Sequence, residues 1–325
     1  MNIAKGQRRM TYQIFIDGEE GTTGLQIKER LHARPELSLI QLGDQERKNP
    51  AARKDAILAS DVAILCLPDT AAIEAVSLLD DQPARFIDAS TAHRVNNGWV
   101  YGFPELRPEQ SELIASATRV SNPGCYSTGA IALLRPLISE GVIPPSYPIT
   151  INAVSGYSGG GKSLILRMED DKLDAYINSE YFSYGLGLDH KHVPEIISHS
   201  GLSLRPLFAP SVGKFRQGMI VQIPLQLCSL PSNPNVEDIF RILSNYYHNK
   251  TFVTVADDLE VGDRIGLLDP EELNGTNQMR LFVFGNERYS QVVLCAQLDN
   301  LGKGASGQAV QNLNLMLGLP EIAGL

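Results

Sequence analysis

The segment Ser121-Asn122-Pro123-Gly124-Cys125 places a thiol where a tight turn gives way to the helical run Tyr126–Leu137. Ser121 or Asn122 can cap such a helix, and the turn exposes the cysteine at its N-terminus. A helix end stabilises a thiolate and lowers its pKa from about 8.5, as a nucleophile requires. Free backbone N–H groups of the same turn suit an oxyanion hole. Cys66, Cys228 and Cys295 fall in apolar, strand-like stretches, where thiols are inert packing groups. No pair of cysteines has the C-x-x-C spacing, so neither zinc nor a disulfide scaffold is expected, and a reducing cytoplasm suits the chain.

A nucleophilic cysteine works with a base, and His190-Lys191-His192 precedes Val193-Pro194-Glu195. Pro194 suits the first turn of a helix, which leaves both histidines in the loop leading into it, where catalytic groups are commonly carried. An H-x-H pair can also bind a metal, but no third ligand has a matching spacing and no metal is expected. His32, His93, His199 and His248 read as ordinary surface or packing residues.

The run Gly18-Glu19-Glu20-Gly21-Thr22-Thr23-Gly24 joins a strand to a helix, so a pyrophosphate can approach N–H groups at the helix start. Its spacing differs from G-x-G-x-x-G and names no cofactor by itself. After the second strand, Asp44 points to the ribose hydroxyl of NAD, whereas Arg47 and Lys48 point to the 2′-phosphate of NADP. We read the pair as favouring NADP. A dinucleotide-type turn, a helix-capped cysteine and a loop histidine together indicate aldehyde–acyl redox chemistry. The cysteine would form a thiohemiacetal or thioester, with hydride moving to or from nicotinamide.

Strands that position these groups are expected at Gln13–Asp17, Leu37–Leu42, Val62–Leu67 and Phe86–Ala89. They alternate with helices at Leu25–Leu31, Ala51–Ala59 and Ala71–Leu79, the signature of crossover units on a parallel sheet. Beyond residue 145 the pattern becomes amphipathic strands, at Ile149–Val154, Met219–Leu227, Arg280–Phe284 and Gln291–Leu298, for which an antiparallel sheet is the expected arrangement. Ala305–Leu317 returns to helical spacing. The fold class is therefore α/β: a Rossmann-type parallel-sheet domain plus an α+β domain with a mixed or antiparallel sheet.

The 325 residues suggest about two domains. With 43% hydrophobic and 20% charged residues, the composition excludes disorder. A net charge of −9, without a Lys/Arg cluster, argues against a nucleic-acid partner. No apolar run approaches the ~18 residues of a membrane helix, and the first residues lack the apolar core of a secretory signal.

Six segments carry a resemblance: Ile16–Gln26, Tyr101-Gly102-Phe103-Pro104-Glu105-Leu106, Ser121–Thr128, Ser155-Gly156-Tyr157-Ser158-Gly159-Gly160-Gly161-Lys162, His190–Glu195 and Asp299–Ala309. Through them, from about residue 12 to the C-terminus, the chain resembles the N-acetyl-gamma-glutamyl-phosphate reductase family, within the wider semialdehyde dehydrogenase group. Ser127 and Leu133 depart from the Cys signature of the longer form, so the shorter form is the better match.

The resemblance implies an acyl-phosphate reductase of arginine biosynthesis. Cys125 would attack the acyl phosphate and expel phosphate, and NADPH would reduce the thioester to N-acetylglutamate semialdehyde. His190, six residues after Tyr184, takes the acid/base role, and His192 is a substrate contact. Ile87–Arg94 is similar to the group's phosphate-binding segment, so Ser90 and Arg94 are expected on the phosphate, with the Arg94 fork as clamp. Arg216 is the candidate for the substrate carboxylate, and Asn122 a further substrate contact. Ser155, Gly156 and Asn300 join Gly18, Gly21, Thr22, Thr23, Gly24, Arg47 and Lys48 around NADP.

The implied division is a loose tail (1–11), an NADP-binding domain (12–122), a catalytic and subunit-contact domain (123–303) and a returning C-terminal helix (304–325). A homodimer or homotetramer acting on a small acyl phosphate is expected. Aspartate-semialdehyde dehydrogenase is the nearest alternative, then a related carrier-protein-linked reductase, and a non-catalytic NADP sensor the alternative from another class.

Overall fold

The computed structural model describes residues 11–79 and 82–325, so the expected tail lies, Thr11 apart, outside the described residues. In chain order come β1 (Tyr12–Asp17), α1 (Thr22–His32), β2 (Leu37–Ile40), α2 (Pro50–Ala59), β3 (Val62–Leu65), α3 (Asp69–Ser77) and β4 (Phe86–Asp88). Then follow β5 (Val100–Tyr101), α4 (Gln110–Ser116), β6 (Arg119–Ser121) and α5 (Cys125–Ser139). The strands form one parallel sheet in the order β2-β1-β3-β4-β6-β5. Every residue of β3 is buried, because helices cover both faces of a parallel sheet. Gly24, Ile27 and Leu31 form the buried stripe of α1, and Asn49 caps α2 by accepting from the N–H groups of Ala51 and Ala52.

The strand order reverses between β1 and β3, which opens a crevice at their C-terminal ends. The glycine turn sits in that crevice.

The second half contributes β7 (Thr150–Gly156), α6 (Gly161–Glu169), β8 (Tyr181–Ser183), α7 (Val193–Ser200), β9 (Leu207–Gly213) and β10 (Met219–Gln226). It continues with α8 (Val236–Tyr246), β11 (Val253–Val255), α9 (Asp258–Arg264), β12 (Met279–Asn286) and β13 (Gln291–Leu298). Their order is β11-β12-β13-β10-β7-β9-β8. The sheet is mixed rather than wholly antiparallel, because β7 pairs with β9, and β11 with β12, in parallel. α5 lies on one face of it, with Ile131, Leu134 and Leu137 in one core with Val221, Leu281 and Leu294.

After β13 the chain makes a π-turn over Gly302–Ser306, closed by the Ser306 N–H on the Leu301 carbonyl at 2.7 Å, and enters α10 (Gly307–Leu317). Regular helix therefore starts two residues later than expected. Lys303, inside the turn, is fully buried and donates to both oxygens of Glu105 at 2.9 Å and to Gln311 Oε1 at 2.7 Å. From there α10 returns to the first core, where Ala309, Val310 and Leu313 meet Ile14, Ile64 and Val120.

Candidate active site

Cys125 is the first residue of α5, and Gly124 occupies the N-cap with no side-chain hydrogen bond. The expected caps act elsewhere. Ser121 Oγ faces the Val100 carbonyl at 3.5 Å, while Asn122 donates to the Ala305 carbonyl at 3.0 Å and accepts from Asn312 Nδ2 at 3.1 Å. Asn122 thus ties the cysteine turn to the π-turn. The thiol also departs from expectation. Burial pushes its pKa above the ordinary value, and the Tyr126 N–H and Arg94 only partly pull it back. A helix start lowers a thiol pKa only as far as desolvation allows.

Cys125 opens onto a cavity of about 610 Å³ between the two sheets. Thr22 and Thr23 reach it from α1, Ser155 and Gly156 from the end of β7, His190 and His192 from the loop before α7, and Gly304 from the π-turn. Arg94, Asn122 and Asn300 also line it.

The His192 N–H donates to His190 Nδ1 at 3.1 Å, which leaves the ring proton of neutral His190 on Nε2, 3.3 Å from the Tyr184 hydroxyl. Burial, assisted by Lys191, pushes the His190 pKa down to about 4, so the ring is neutral at pH 7. His192 is buried over Gly124, with Nδ1 unpartnered, and burial followed by Arg94 holds its pKa well below the usual histidine range.

Behind Cys125 stands a carboxylate, Glu195, for which the sequence alone indicates no role. Glu195 is 1% exposed; its Oε1 accepts from the Gly124 N–H at 2.8 Å and the Tyr101 hydroxyl at 2.7 Å. Its Oε2 accepts from Arg94 Nη1 at 3.1 Å and the Ser127 hydroxyl at 2.8 Å. Arg94 also donates from Nε to the Asn122 carbonyl at 3.0 Å and from Nη2 to the Ala89 carbonyl at 3.2 Å. Of the five N–H donors of a guanidinium, one on each terminal nitrogen stays free for a ligand.

Two expected substrate contacts point away. The Ser90 hydroxyl donates to buried Asp88 at 2.7 Å, closing a short turn after β4. Arg216 is exposed and paired with Glu169; only its backbone approaches the site, against Gly156, where a Cβ would stand 2.6 Å from the Arg216 carbonyl. Arg167 on α6 lines the cavity instead, held by Nε on the Ala175 carbonyl at 3.1 Å. Nothing in sequence separated these two arginines.

The glycine turn fits a dinucleotide. Gly18 has φ +86°, and a Cβ there would run into the Cys66 carbonyl; one on Gly24 would lie 2.6 Å from the Gly18 carbonyl. Thr22 Oγ1 is buried without a partner at the start of α1, whose N-cap Gly21 supplies no side-chain bond. An anion would satisfy these donors. A second cavity of about 440 Å³ on the other side of the turn is lined by Gly18, Gly21, Arg47, Lys48 and Arg53. Arg47 is held there by Glu20 and, at 3.1 Å, Asp44, while Arg53 donates twice to Asp17 Oδ2, at 2.9 and 2.7 Å. Ser155 Oγ lies 3.1 Å from the Gly156 carbonyl. Asn300 bridges the Gly218 N–H at 2.7 Å and Ser158 Oγ at 3.0 Å, so it ties the loop after β7 to the loop before β10 at the cavity wall.

A two-sheet architecture with a cysteine between a dinucleotide turn and a histidine loop defines an oxidoreductase class, and the comparisons agree. The model "Semialdehyde dehydrogenase, NAD binding domain" matches residues 13–114, and "Semialdehyde dehydrogenase, dimerisation domain" matches residues 125–300. Aspartate semialdehyde dehydrogenase II of Vibrio cholerae superposes with a TM-score of 0.68, covering 95% of this chain and 99% of that one at 15% identity. The enzyme of Francisella tularensis gives 0.70, covering 94% and 100% at 12% identity. Curated N-acetyl-gamma-glutamyl-phosphate reductases of Brucella ovis and Brucella canis are 54% identical over 95% of this chain and 100% of their own length. The chain belongs to the N-acetyl-gamma-glutamyl-phosphate reductases of the semialdehyde dehydrogenase family. Its first domain is the family's nicotinamide-dinucleotide domain and its second the dimerisation domain. No helix of the described residues is long and apolar enough to cross a membrane.

Proposed function

We propose that this chain reduces N-acetyl-gamma-glutamyl phosphate to N-acetylglutamate semialdehyde with NADPH, in the cytoplasm, as a homodimer or homotetramer. The observation that carries the reading is 54% identity to the Brucella reductases along their whole length. The division at 12–122, 123–303 and 304–325 is part of this reading, supported by the separate parallel and mixed sheets and by α10 packing in the first core.

Cys125 Sγ attacks the acyl carbon, the C–O bond to phosphate breaks, and the thiol proton leaves with the phosphate, so that a thioester remains. The two free Arg94 N–H donors face the departing phosphate, and N–H groups at the start of α5 face the oxyanion. Arg167 takes the substrate carboxylate, with its fork left open by the Nε bond to Ala175. In this reading Gly18, Gly21, Thr22, Thr23 and Gly24 hold the pyrophosphate, Ser155, Gly156 and Asn300 contact the cofactor, and Arg47 and Lys48, which line the second cavity, take the 2′-phosphate. NADPH, when bound, supplies the hydride that converts the acyl group into an aldehyde. Neutral His190 hydrogen-bonds the substrate oxygen through Nε2–H and stabilises its developing charge, a solvent proton completes the thiohemiacetal hydroxyl, and His192 orients His190 through its backbone N–H. Cys125 returns to the thiol as the aldehyde leaves.

Phosphate-dependent NADP reduction tests the reading, with N-acetylglutamate semialdehyde and aspartate semialdehyde compared. Preference for the acetylated substrate is expected. Equal use, or preference for aspartate semialdehyde, overturns it, and loss of turnover in Cys125→Ser separates an enzyme from a cofactor sensor.

A further inference from the structure

The geometry points to Glu195 as a positioning residue that couples the nucleophile's turn to the phosphate-side guanidinium. One oxygen holds the backbone of Gly124, immediately before Cys125, and the other holds Arg94 Nη1. Each oxygen carries one anchor that cannot reverse, an N–H, and one that can, a hydroxyl from Tyr101 or Ser127. A single rigid group therefore sets the distance between the attacking sulfur and the donors that receive the leaving group. A 1% exposed carboxylate satisfied by four donors keeps that spacing without help from the substrate.

Glu195 also has an electrostatic effect opposite in sign to its geometric one. Its charge and that of Arg94 bear on Cys125 together with Lys191, and the rings of His190 and His192 stand on the same cavity wall. The carboxylate disfavours the thiolate, while the guanidinium it holds favours it. Glu195 therefore improves the alignment of a nucleophile that it makes less nucleophilic.

The role rests on the acyl-phosphate reading, but the labelling arm of its test does not. Glu195→Gln keeps the size of the side chain, and the amide nitrogen must then face either the Gly124 N–H or Arg94, so one anchor is lost. At neutral pH, iodoacetamide should label Cys125 about tenfold faster in the variant than in the wild type, with the pH profile moved toward acid, because a negative charge is gone. In the same protein kcat should fall, and the phosphate KM of the reverse reaction should rise about tenfold or more, with NADPH binding unchanged. Loosened packing would also expose the thiol and speed labelling, so the distinguishing outcome is the split: the phosphate KM rises while the NADPH KM and the melting temperature hold. Slower or unchanged labelling overturns the proposal whatever substrate the enzyme prefers, as does an unchanged phosphate KM in an enzyme shown to use phosphate. If the variant does not fold, Ser127→Ala keeps the question open. It leaves the carboxylate with one donor fewer, so the labelling profile should move toward alkali and the phosphate KM should rise; no movement in either overturns the proposal.

Discussion

Gly304 of the π-turn lies directly against Cys125: a Cβ added there would stand 2.7 Å from the cysteine Cβ and 3.1 Å from the Asp299 carbonyl. Neither neighbour can yield. Cys125 is fixed as the first residue of α5, and the Gly304 N–H already bonds the Asp299 carbonyl at 2.9 Å. Gly304→Ala should therefore displace the nucleophile, lowering kcat at least about tenfold and slowing iodoacetamide labelling, for an overpacking cost of about 1–3 kcal/mol. Unchanged kcat with a lower melting temperature would confine the contact to stability.

Arg47 provides a test of cofactor choice. Glu20 and Asp44 hold it, and Glu19 lies 3.8 Å away, so Arg47→Ala leaves three carboxylates beside the place proposed for the 2′-phosphate. The NADPH KM should rise at least about tenfold more than the NADH KM, since only NADPH brings extra negative charge to them. Equal rises would remove Arg47 from that role.

His190 gives acid sensitivity a sign. Folded, it titrates at about 4; an unfolded histidine titrates near 6.5. Between those values the unfolded chain binds more protons, so stability falls as pH drops from about 6.5 toward 4. Above pH 6.5 the group contributes no slope. In His190→Asn the urea midpoint should decline less steeply across that window, and kcat should fall by the ~10²–10³ of a positioned hydrogen-bond donor. If His192→Asn loses the rate and His190→Asn keeps it, the roles are exchanged.

The two arginines can be separated by kinetics. Arg167→Met should raise the KM of both the acyl phosphate and the semialdehyde about tenfold or more, because both carry the carboxylate. Arg216→Met removes an exposed pair with Glu169 and should leave both within about twofold. The reverse pattern would return the carboxylate to Arg216.

The first sheet was legible because β1, β3 and β4 are apolar runs bounded by turn residues, and α1 and α2 keep helical spacing with recognisable starts. β5 and β6 were missed: Val100–Tyr101 and Arg119–Ser121 are too short for a period to register. α8 was missed although its signal was present, since Asn235 and Asp238 form a reciprocal cap. At the site, residue type indicated Cys125, His190 and His192, which all line one cavity. Direction was not legible. Whether Ser90 faces a ligand or Asp88, or which arginine Glu169 captures, is decided by partners 2 and 47 residues away. The upward push on the Cys125 thiol likewise depends on burial completed by elements distant in sequence.

The closure of the first core by α10 sets an order of events during synthesis. Ile14, Ile64 and Val120 emerge from the ribosome at least 190 residues before Val310 and Leu313, which cover them. Until then the nascent dinucleotide domain has an uncovered apolar face, the kind of surface that chaperones bind and that promotes misassociation. The second sheet, whose strands span 150–298, can complete its own core first. The dinucleotide domain, begun first in the chain, thus closes its core only after α10 has been made.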